Sequence, residues 1–94
     1  MDVAAHKMSF AELQEQGQSH LVDFLSTDLD LGFTLCGMLG NTPTEAHQRQ
    51  LTKDTKAVLD TVRRFAPRLM DSAARADLEK RAKSLEDHLA RTLK

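Results

Sequence analysis

The stretch "GNTPTE", Gly40 to Glu45, decides how this chain folds. Proline has no amide to lose and a fixed φ, so Pro43 suits the first position of a helix. Thr42 before it and Glu45 three residues later have the spacing at which a hydroxyl and a carboxylate reciprocally satisfy free amides of the first turn. Gly40 suits the left-handed residue that ends a preceding helix. The stretch thus reads as one helix ending and another beginning within two or three residues, and so short a connection folds the two helices back as an antiparallel hairpin.

The flanking sequence favours helix in both directions. Ala, Leu, Glu, Gln, Lys and Arg dominate, while valine and isoleucine are scarce. Upstream, Ser9-Phe-Ala-Glu12 repeats the capping pattern and sets the start of a first helix over residues 10–40. Phe10 and Leu13 keep the phase of Leu21, Phe24 and Leu25 across Gly17, which predicts one long helix; a break near Gly17 to Ser19 is the alternative. Downstream, the second helix is expected over 43–69, disturbed near its end by Pro67, and Asp71 caps a third over 72–92. The expected fold is all-α, an antiparallel three-helix bundle running up-down-up. Residues 1–94 are expected to form one domain, with 1–8 flexible.

Helical spacing assigns each helix a face. His47, Leu51, Thr55, Val58, Val62, Phe65 and Leu69 form the core stripe of helix 2, and Ala74, Leu78, Ala82 (or Arg81), Leu85 and Leu89 that of helix 3. Helix 1 differs. Its polar line is narrow, Asp23, Thr27, Asp30 and Thr34, and apolar surface covers most of the rest. So wide an arc suits a helix packed on two neighbours, with a second subunit covering what remains.

Size and charge bound the function. A 94-residue chain supports a core of only a few kcal/mol, a range in which dimerisation often helps. One cysteine, Cys36, cannot form an intrachain disulfide, and MDVAAHKMSF lacks the apolar core of a signal peptide, so the expected home is reducing and cytoplasmic. The uncharged stretch from Leu31 to Thr44 falls short of the about 20 apolar residues that cross a bilayer. Net charge is −1, yet no Lys or Arg occurs between Lys7 and Arg49, so an acidic first helix is expected to lie beside basic later ones, within one chain or across a dimer. Arg49, Lys53, Lys56, Arg63 and Arg64 share their helix with Glu45 and Asp60, and no Tyr or Trp offers stacking, which argues against nucleic acid.

Four residues are candidates for a binding site. Gly32, Cys36 and Gly40 are four apart and form a strip of small residues that lets another helix approach closely, or floors a ligand groove. Asp28 falls among leucines by helical phase, and a buried carboxylate needs a partner. A hairpin turning at Asn41 and Thr42 brings Asp28 level with Thr55 and near Arg81 and Lys83, and Cys36 level with His47. A cysteine opposite a histidine is a weak signal for a metal, because no CxxC, HExxH or Glu-x-x-His spacing accompanies it. No nucleophile elbow, phosphate loop or carboxylate pair supports catalysis, and no cofactor is expected. The expected function is a small interaction module that associates with itself, as a homodimer through helix 1, or with another protein. The alternative is a ligand- or metal-binding bundle around Asp28, Gly32, Cys36 and His47.

Overall fold

The computed structural model describes residues 10–93, with side chains from Gln16 onward. Three helices, α1 (Phe10–Leu39), α2 (Glu45–Phe65) and α3 (Ser72–Thr92), each pack on the other two, the all-α three-helix bundle expected from the spacing. The Ser9–Glu12 capping pattern and the segment 1–8 lie outside the described residues. Gly17 does not break α1, which runs through it as one helix.

The α1–α2 connection is built differently from its sequence reading. No glycine among the described residues has positive φ, so Gly40 is not a left-handed cap. The end of α1 is closed by the residues after it: Asn41 N donates to Met38 O (3.0 Å), Asn41 Nδ2 to Gly37 O (3.4 Å) and Thr42 Oγ1 to Met38 O (2.8 Å). The Thr42 hydroxyl is thus spent on α1. It does not open α2, which starts two residues later than expected, at Glu45, with Thr44 as its N-cap. Gln48 Nε2 reaches back to Thr42 O at 2.9 Å and ties the loop to the first turn of α2.

The second connection follows the sequence more closely. α2 ends at Phe65, and Pro67 sits in a 3-10 turn over Ala66–Arg68. Asp71 then caps α3, its Oδ1 accepting from Ala73 N (2.9 Å) and Ala74 N (3.2 Å). Gln18 of α1 clamps this connection with both ends of its amide, donating to Arg68 O at 3.1 Å and accepting from Met70 N at 2.7 Å.

The core joins Leu25, Leu29, Cys36 and Leu39 of α1 to Leu51, Val58, Leu59 and Val62 of α2 and Leu78, Ala82, Leu85 and Leu89 of α3. His47, assigned to the stripe of helix 2, is exposed, because the first turn of α2 projects past the covered part of α1. Leu59 was not in the expected stripe and is buried. At the ambiguous position of helix 3, Ala82 is buried and Arg81 is the one at the edge.

Gly32 lies where the three helices meet. A Cβ there would sit 2.6 Å from Leu85 Cδ2 and 3.0 Å from Val58 Cγ1, whereas one on Gly37 meets nothing within 4 Å. The two glycines therefore predict opposite outcomes. Gly32→Ala forces a methyl into a filled junction and costs about 1–3 kcal/mol. Gly37→Ala removes a glycine from a helix interior and stabilises by about 0.5–1 kcal/mol. Urea unfolding of the two variants beside the wild type checks both signs.

Candidate functional site

The packing at Gly32 fixes the register of the bundle and the place of each candidate residue. With Gly32 against Val58 in an antiparallel pair, Asp28 comes level with Val62 and Cys36 with Asp54. His47 then lies about 10 Å beyond Cys36 along α2, at 1.5 Å per residue. The expected pairings of Asp28 with Thr55 and of Cys36 with His47 do not occur. The five-residue connection lets α2 slide along α1, whereas the sequence count assumed a tighter turn.

Each candidate has its own surroundings. The close approach at Gly32 is to α2 and α3 of the same chain, and Leu85 and Val58 occupy the space a ligand would need. Cys36 is buried, with Sγ 3.9 Å from Thr92 Oγ1. Because Thr92 donates its hydroxyl proton to His88 O at 2.9 Å, the thiol is the donor in that contact. His88 packs on Phe33 with ring centroids 6.4 Å apart. Thr55, fully buried, gives its hydroxyl to Leu51 O at 2.8 Å. Among the described residues no three His, Cys, Asp or Glu side chains gather as a metal site.

Arg81 is level with Asp28 on α3 but serves the other flank of α1. Its guanidinium holds Ser26 Oγ at 2.8 Å and Asp30 Oδ1 at 2.8 Å. Among the described residues this is the one ion pair that joins acidic α1 to the basic part of the chain; the others lie within or between α2 and α3, such as Arg63–Glu86 at 2.8 Å. Arg63 holds the Glu86 carboxyl below its ordinary range.

Asp28 is left on the flank of α1 away from α3, partly buried, with no hydrogen bond or ion pair among the described residues. Desolvation pushes its pKa above the ordinary aspartate value. Its neighbours on that flank form a second apolar line. Phe24, Leu31 and Met38 follow each other at seven-residue spacing and are 52, 49 and 45% exposed, too open for core side chains. Leu21 and Leu35, partly buried and packed against the core, alternate with them, and Asp28 takes the middle place between these two. Positions 21, 24, 28, 31, 35 and 38 thus keep the three-four rhythm of a helix–helix seam. The stripe spans about 25 Å of helix axis at 1.5 Å per residue. The sequence contained this signal as a width, an arc too broad for one contact. Only the packing divides that arc into a filled half and an open half.

A wide, shallow concavity of about 790 Å³ lies elsewhere, along the outer side of α2 and the end of α3, between Arg49, Lys53, Lys56, Asp60 and Leu93. Three cations, Arg49, Lys53 and Lys56, stand between Glu45 and Asp60, and all five side chains are exposed, as on a solvated helix face. No described helix is long and apolar enough to cross a membrane. No protein-family model matches this chain, and no curated protein or solved structure matches it either.

The geometry gives a stability test at Asp28. Ionised Asp28 is desolvated without compensation, so its pKa is higher folded than unfolded. The penalty is absent below the unfolded pKa, grows as pH rises, and is complete above the folded pKa. Asp28→Asn is therefore expected to be more stable than the wild type at pH 7, and the gap is expected to close toward pH 4. Chemical denaturation in dilute solution at the two pH values measures it.

Proposed function

We propose that this protein is a helical interaction module that associates with a second copy of itself through the outer stripe of α1. The observation that carries the reading is the line Phe24, Leu31 and Met38, three large apolar side chains about half exposed on one face at seven-residue spacing. Scattered single apolar residues are normal on a surface, whereas a contiguous row at seam spacing marks a contact surface. A second copy supplies a helix with the same spacing.

Small proteins of this size gain from such a contact, because apolar area left open by one chain is removed from water by two. A ligand or metal site shared by Asp28, Gly32, Cys36 and His47 has no comparable support. The four residues stand on an outer flank, at a filled junction, beside a part-buried hydroxyl and in the exposed first turn of α2.

Leu31, half exposed at the middle of the stripe, provides the test. Leu31→Glu is expected to leave the helical circular dichroism intact and to lower the sedimentation coefficient to that of a monomer, at concentrations where the wild type is dimeric. A wild type that stays monomeric at several hundred micromolar overturns the reading.

A further inference from the structure

We draw no further inference here: the strongest candidate, the half-exposed apolar row of Phe24, Leu31 and Met38 on the outer flank of α1 with Asp28 at its middle, is an unpartnered helix face, and nothing in the structure shows what covers it.

Discussion

The absence of a side chain at Gly32 is the constraint on which the bundle depends. Leu85 Cδ2 of α3 and Val58 Cγ1 of α2 reach the same point on α1, 2.6 and 3.0 Å from where a Cβ would stand, so the three helices meet there. Contact at one point of three rods fixes their relative translation, and the other cross-links fall into line with it. Ser26 meets Arg81, Phe33 meets His88 and Cys36 meets Thr92 at sequence offsets of 55, 55 and 56. A constant offset is what two parallel helices in fixed register give. The glycine costs helix propensity in the most apolar part of α1, and the junction it permits is what compensates for it.

Periodicity and end signals were legible because they depend on residues close in sequence. The polar line Asp23, Thr27, Asp30 and Thr34 is exposed as its phase requires, most of the stripes of α2 and α3 are buried, and Asp71 caps α3 through its own carboxylate. The loop from Gly40 to Thr44 was not legible in the same way. Its signals are ambiguous about ownership: the Thr42 hydroxyl can serve the helix before it or the one after it, and it serves α1. That single choice moves the start of α2, lengthens the connection and shifts the register, so the pairings counted from the turn, Asp28 with Thr55 and Cys36 with His47, were lost together. A long-range pairing inferred through a loop inherits every residue of error in that loop.

Arg81 shows a different limit. Level alone placed it beside Asp28, but a helix neighbour must also share a flank. α3 covers the side of α1 that carries Ser26, Asp30 and Phe33, so the guanidinium takes Ser26 and Asp30 and leaves Asp28 to the far side. Sequence gives phase around one helix reliably. It does not say which side of that helix a neighbour occupies, because the handedness of a three-helix arrangement is decided by packing and not by any one stripe.

The apolar arc of α1 therefore has two halves with different roles. One half, Leu25, Leu29, Gly32, Cys36 and Leu39, is consumed within the chain and closes on small residues. The other half leaves Phe24, Leu31 and Met38 about half exposed, large side chains that are expensive to leave in water. A leucine at position 28 would complete that second line and make it one continuous apolar surface. Aspartate divides it into Leu21 with Phe24 on one side and Leu31, Leu35 and Met38 on the other. A charge in such a place lowers the affinity of any apolar contact made across it, and in exchange it makes the contact conditional on what neutralises the charge.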